Sequence, residues 1–287
     1  MRQKLVLTRR SARRGRWIRR RIGPYRPEAR EKAREVFGHF RPYRAPVPLI
    51  RVGPEEDGGY LLPDDLDGIV ASFSPGVSDV MGFDEDIAAR GIPCFLADAS
   101  VEGPQNPPQG IHFEPLFLGG ATEGKVISLD DWVAARAPET GDLLLQMDIE
   151  GAEYEVLNAA SEAVLGRFRI IVIEFHGLWR AFTPEGREEL VPVLDKLARQ
   201  FRVVHVHGNN NAPPVRAGGM RFSSVLEVTY LRRDRAGVEM VEAELPHPLD
   251  RPNDRALLDV VVPRFWAEQA SEVGNKAHGR PPLPPIA

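Results

Sequence analysis

The stretch LLLQMDIEGAEYEVL, residues 143–157, passes from an apolar run through an acidic turn into a helix-like segment. A carboxylate at the edge of a core is costly to desolvate unless it is paired or hydrogen-bonded. Asp148 nevertheless stands at the mouth of the chain's most hydrophobic segment, with Glu150, Glu153 and Glu155 just beyond. The run before Asp148 has the length and composition of a strand covered on both faces. Gly151 permits a tight turn, and the segment after it starts a helix. Glu153 in its first turn favours the N-terminal dipole, and Glu155 reads as solvated surface. A strand that turns straight into a helix is half of a β-α-β unit.

The same unit recurs along the chain. Candidate strands lie at 69–74, 93–98, 111–118, 142–148, 169–175, 201–207 and 223–231. Candidate helices lie at 83–91, 128–137, 152–166 and 184–200. Ser128 before LDD reads as an N-cap, and Gly91 and Gly166 suit helix ends. The last two runs are separated by GNNNAPPVRAGGMR, with no helix. That connection suits an antiparallel partner better than a parallel crossover. The expected fold is therefore α/β: a Rossmann-like, doubly wound, seven-stranded sheet, mostly parallel with an antiparallel last strand.

Bulk properties bound the rest. A hydrophobic fraction of 43% over 287 residues is ample for a core. Cys94 is the only cysteine, so no internal disulfide forms, which fits a cytoplasmic chain. No apolar stretch approaches the roughly 20 residues needed to span a bilayer, and the N-terminus lacks the apolar region of a secretory signal. The net charge of −4 conceals an uneven distribution: the first 45 residues hold 16 Lys/Arg and 3 Asp/Glu. We divide the chain into a basic arm at 1–45, partly helical or disordered, a domain at 46–265 and a Pro-rich tail at 266–287. The arm is either a solvated face or a peripheral contact with anionic membrane, polyanionic glycan or nucleic acid.

In open α/β sheets, ligands sit beyond the carboxyl ends of the strands. Gly76 follows the first strand and permits close backbone approach, although a plain turn uses the same residue. Asp98 ends the second strand, where nucleotide-binding sheets place a carboxylate for ribose hydroxyls; a turn Asp is the alternative. Asp148 ends the fourth strand, and Glu174, followed by His176, ends the fifth. Asp148 and Glu150 share a face if the chain stays extended. His205 and His207 share a face of the sixth run, with Asn209 just beyond. A lone strand-end His is commonly a structural hydrogen-bonder. Acids and imidazoles gathered in one cleft are instead the equipment of acid–base chemistry. The turn HPLDRPNDR, 247–255, is a candidate cover that would bring Asp250, Arg251 and Asn253 to the pocket.

MDIEGAEYEVL followed by IIVIEFHGL resembles the paired signature of FkbM-type, S-adenosylmethionine-dependent methyltransferases. RVGPEEDGGYLLP (51–63), FSPGVSDVMGFDEDIA and VISLDDWV resemble a branch with a DGGY element before the first strand. The likeness spans about residues 47–231, with Ser74 and Pro75 standing where the family usually has an acid. It implies that Gly76, Val77 and Asp84 line the methionine end of the cofactor, Asp98 holds the ribose, and Leu118 and Gly119 border the adenine. Asp148 would lie nearest the methyl group, with Glu150, Glu174 and His176 shaping the acceptor side. His207, Asn209 and Asp250 are added as candidate substrate contacts.

The activity implied is O-methylation of a hydroxyl on a sugar, glycan or small-molecule natural product. The proton would go to Asp148, His176 or His205. A divalent ion held by Asp148, Glu174 and a histidine would serve the same end by lowering the hydroxyl pKa. Two other functions compete. A nucleic-acid methyltransferase would use the basic arm, but the acidic body lacks a basic stripe with interleaved aromatics. A non-catalytic cofactor-binding module of a glycan assembly system would bind the donor without turnover.

Overall fold

The computed structural model describes residues 27–77, 81–104, 106–217, 220–237, 240–260 and 262. The first 26 residues of the basic arm and the Pro-rich tail from 266 lie outside them. Helix α1, Pro27–Gly38, packs on a 3-10 turn and a long helix described below. Its Ala33, Val36 and Phe37, with Phe40 just beyond, enter the main core. The end of the segment read as an arm is thus part of the domain. Its charged residues hide an apolar stripe at helical spacing.

A hairpin follows, β1 Leu49–Val52 with β2 Tyr60–Pro63, paired antiparallel through the DGGY element. Sequence reading leaves it unassigned, because four-residue runs carry little periodicity. Next come β3 Ile69–Pro75, α2 Gly82–Ala89, β4 Cys94–Ala97 and β5 Ile111–Glu114. The single strand expected at 111–118 breaks at Pro115, which cannot donate to a ladder. Its second half, β6 Phe117–Gly119, leaves the sheet and pairs with β7, Val126–Ser128. Ser128 caps α3, Leu129–Arg136, by accepting from Asp131 N, as its sequence position predicts.

Strand β8, Asp142–Met147, leads into α4, Glu153–Ala159, and α5, Glu162–Leu165. The one helix expected at 152–166 is divided because Ser161 caps the second piece by accepting from Val164 N. Lys196 Nζ meanwhile binds the carbonyls of Leu157, Asn158 and Ala160 at the end of the first piece. Strand β9, Phe168–Phe175, is buried along its whole length. The 3-10 turn Leu178–Phe182 precedes α6, Pro184–Gln200, whose N-cap is Thr183 and whose Leu190, Val193, Leu194 and Leu197 face the core. Strand β10, Phe201–Gly208, a hairpin of β11 Pro214–Ala217 and β12 Met220–Ser223, and β13 Leu226–Arg232 complete the regular elements among the described residues.

The main sheet has seven strands in the order β10-β13-β9-β8-β3-β4-β5. The pairs from β9 to β5 are parallel, and β13 runs antiparallel to both β9 and β10. The expected α/β architecture is therefore present, with the strand order reversing between β3 and β8. Leu143, Leu145 and Met147 face one core, built with Phe73, Trp132 and Phe168, while Leu144 faces the other beneath the β1–β2 hairpin and α2. This two-sided burial explains why β8 reads as continuously apolar. Among the described residues no helix is long and apolar enough to cross a membrane.

Candidate active site

At the reversal point, β3 and β8 run side by side and their carboxyl ends meet. Asp148 N donates to Pro75 O at 3.2 Å, and Gly76 N donates to Ala97 O at 3.0 Å. Gly76 has φ +89°, and a Cβ there would lie 1.7 Å from Asp148 O. This glycine is required by the backbone of β8, a reason its sequence context does not disclose. The chain leaves β8 by turning rather than staying extended: Glu150 has φ +56° and Gly151 φ +107°.

The turn brings three groups together. One ligand atom from each of Asp148, Glu174 and His176 lies within 4.8 Å of the other two. His176 Nε2 stands 3.7 Å from Asp148 Oδ1 and 3.5 Å from Glu150 Oε2. Asp148 Oδ1 is shielded from solvent and makes no hydrogen bond. Glu174 accepts from Tyr60 Oη at 2.9 Å and from Asn209 Nδ2 at 3.2 Å. In register across the sheet, Glu174 faces Glu227, and Glu227 faces His207. His207 Nδ1 is 2.9 Å from Glu227 and its Nε2 3.1 Å from Asp259.

Burial pushes the Asp148 carboxyl up to about 7, with Glu150, Glu153 and Asp57 adding to the rise and His176 opposing it. Glu174 is also raised well above its ordinary value, first by burial and then by Asp148, Glu227 and Asp57. Burial works against charge on His176, but Glu153, Asp148 and Glu150 outweigh it and lift the imidazole to about 9. Burial likewise opposes charge on His207, which Glu227, Asp259 and Asp250 raise to about 10. The carboxyl edge of the sheet is an acid-rich cluster steadied by two imidazoles.

The remaining candidates divide. Asn209 joins the cluster through Glu174, and Glu150 borders it from solvent. His205 does not join it: its Nε2 stands 2.9 Å from Asp250 Oδ1, and its ring lies beside that of His247. It sits lower on β10 than His207 and is covered by the segment carrying Asp250, so its role as a base at this cluster is not supported. Asp250 therefore belongs to that cover. The cover is tied to the hairpin by Arg251 on Glu55 and by Asn253 on Asp57, and to β13 by Asn253 on Glu227. Asp98 lies at the end of β4, its Oδ1 accepting from Ser100 N and Oγ at 2.7 and 2.6 Å. Leu118 is buried, and Gly119 rests against Val126 on the small β6–β7 ribbon. Val77 packs into the core below the hairpin.

Asp84 is a correction. It is 1% exposed and accepts from Ser74 Oγ at 2.5 Å, so it faces the interior instead of a ligand-accessible surface. Burial raises its carboxyl to about 7, with Ser74 partly offsetting the effect. Between the unfolded value near 4 and about 7, the folded state holds a proton that the unfolded chain has lost. Stability therefore falls as pH rises through this window and levels off above it. At about 1.4 kcal/mol per pKa unit, the contribution is on the order of 4 kcal/mol. Asp84→Asn is expected to flatten that decline and to stabilise the fold at pH 8, as read from urea denaturation at several pH values.

Tyr60 and Glu227 are site residues that the sequence does not single out, and Glu153, read there as a helix-dipole acid, is a third. Glu227 carries a signal, an acid inside the apolar run VLEVTYL. Tyr60 carries a weaker one, the hydroxyl-bearing end of DGGY.

Residues 95–203, from β4 into β10, match the methyltransferase FkbM domain. Nine chains of solved structures are similar to this one. One is from the crystal structure of a fibrillarin/Nop5p complex, at 15% identity and a TM-score of 0.35, covering 58% of this chain and 74% of that chain. No curated protein matches the sequence.

Proposed function

We propose, from the match of residues 95–203 to the methyltransferase FkbM domain, that the chain O-methylates a hydroxyl of a sugar, glycan or small-molecule natural product. The observation that carries this reading is the convergence of Asp148, Glu174 and His176 within 4.8 Å beside the strand-order reversal. S-adenosylmethionine, the donor of such domains, supplies an electrophilic methyl group when bound. The residues suit it in part. Asp98, buried at the end of β4, offers a carboxylate of fixed direction for a ribose diol, and Leu118 offers an apolar border for the base. Gly76 keeps the backbone low where the two strand ends meet. Asp84 is too deep to take part.

Asp148 is the proton acceptor in this reading. Its carboxyl, at about 7, is matched to a neutral working pH, and its ionised form is the one that takes the proton. His176, lifted to about 9, is then the cation that holds Asp148 and Glu150 in place. Asp148 and His176 are part-exposed, so an acceptor can reach them. Activity is expected to rise as pH passes through about 7, where Asp148 loses its proton.

The solvent-shielded, unbonded Asp148 Oδ1 favours a second version of the same chemistry. A divalent ion between Asp148, Glu174 and His176 would lower the acceptor's pKa, and its oxygen and imidazole ligands are the kind such ions accept. The density of carboxylates favours a neutral acceptor over a polyanionic one, because a phosphate backbone would be repelled.

Calorimetry with S-adenosylmethionine on wild type and Asp98→Ala tests the donor. Binding by wild type, weakened about 10–100-fold in the variant, is expected from loss of hydrogen bonds to a charged group. No binding by wild type would remove the proposal. Labelled-methyl transfer to a panel of sugars and polyketide alcohols, with and without chelator, then separates the metal-free and metal-assisted versions.

A further inference from the structure

His176 serves both versions of the proposed chemistry, yet the groups that hold it lie behind the site. Its Nδ1 is 2.9 Å from Glu153 Oε1 and 3.1 Å from Glu174 O. A carboxylate only accepts, so Nδ1 carries the hydrogen and donates it. Tyr154 Oη donates to the His176 carbonyl at 3.0 Å, fixing the backbone of the same residue.

Glu153 itself is 0% exposed. Its Oε1 also accepts from Gly151 N at 3.0 Å, while its Oε2 is buried without a hydrogen-bond partner. Full burial of a carboxylate with one oxygen unmatched is an expensive arrangement. The helix N-terminus offsets only part of it. The arrangement has one evident consequence. With Nδ1 engaged, Nε2 is the nitrogen turned toward Asp148 and Glu150.

We propose that Glu153 is a positioning residue for methyl transfer: it fixes the rotation of the His176 ring and presents Nε2 to the acceptor side. A carboxylate behind an imidazole does this in many sites, whether the far nitrogen meets a proton or a metal. The proposal rests on reading the cluster as the methyl-transfer centre, but it makes a structural claim that can be read without turnover.

The test uses the full chain with E153Q and E153A. Glutamine keeps an oxygen to accept from Nδ1–H, whereas alanine removes it. E153A is expected to lower kcat about 10–100-fold with donor affinity and acceptor KM nearly unchanged, and E153Q is expected to restore most of kcat. Ring ¹⁵N–¹H NMR, assigned with a His176 substitution, should show the Nδ1–H signal in wild type and E153Q and its loss or shift in E153A. Unmoved ring signals in E153A would overturn the proposal, as would equal losses of kcat in the two variants. If E153A fails to fold, E153Q decides: a retained Nδ1–H signal with retained kcat supports the role, and a lost signal with retained kcat refutes it. If wild type transfers no methyl group, the methyltransferase reading fails, while the ring signals still report whether Glu153 holds His176.

Discussion

Asp148→Asn is expected to cut methyl transfer by about 10²–10⁴-fold while leaving the fold and donor binding intact. The substitution keeps the shape of the side chain and removes its charge together with its capacity to take a proton. Asp148 Oδ1 makes no hydrogen bond, so the change breaks none there, and His176 keeps its bond to Glu153. The variant should also resist denaturation better than wild type above pH 7. Asp148 lies among Glu150, Glu153 and Asp57, and burial opposes its charge, so an ionised carboxylate there destabilises the folded state. A raised folded-state pKa means that the cost appears as pH climbs from about 4 to 7 and persists above that range. Loss of turnover with a higher unfolding midpoint is the signature of a functional residue kept against stability. Labelled-methyl transfer and urea denaturation at pH 8 are the two measurements. Full activity in the variant would remove Asp148 as the proton acceptor.

The fold was readable because burial on two faces leaves a plain mark. LLLQM and FRIIVIEF contain no room for a solvent face, and the helix-free connection before β13 implies its reversed direction. Strand ends could likewise be found, and with them Asp98, Asp148, Glu174 and His176. The side-chain partners could not. Glu153 in the first turn of a helix has the same sequence whether it meets water or an imidazole. Its partner is chosen by the register of β9 against β8, where Met147 stands opposite Ile173 and His176 therefore clears the sheet just beyond Asp148. His205 failed as a member of the cluster for a related reason. It stands two residues further from the carboxyl end of β10 than His207, opposite Thr229 instead of Glu227, and the 247–255 segment returns from far along the chain to cover it. Asp84 shows the converse error, since a first-turn acid that looks ligand-facing is drawn inward by Ser74.

Gly76→Ala should be among the most damaging single-methyl changes available to this chain. Two penalties combine. A non-glycine residue at φ +89° is strained by about 1–2 kcal/mol. The added Cβ would also fall 1.7 Å from Asp148 O, a backbone atom that no rotamer change can move. Relief requires the ends of β3 and β8 to separate, which breaks the Asp148 N to Pro75 O bond. At about 1 kcal/mol for that bond, the total reaches roughly 2–3 kcal/mol, or about 4–12 °C in Tm for a domain of this size. Gly151→Ala is the control. Its φ of +107° imposes comparable strain, but a Cβ there has no atom within 4 Å. It should therefore cost only the conformational part. A large loss at position 76 beside a small one at 151, measured by chemical denaturation, would show that contact between the two strand ends sets the position of Asp148. Equal losses would mean that backbone strain alone explains both glycines, and that the junction at the centre of the site is looser than its geometry indicates.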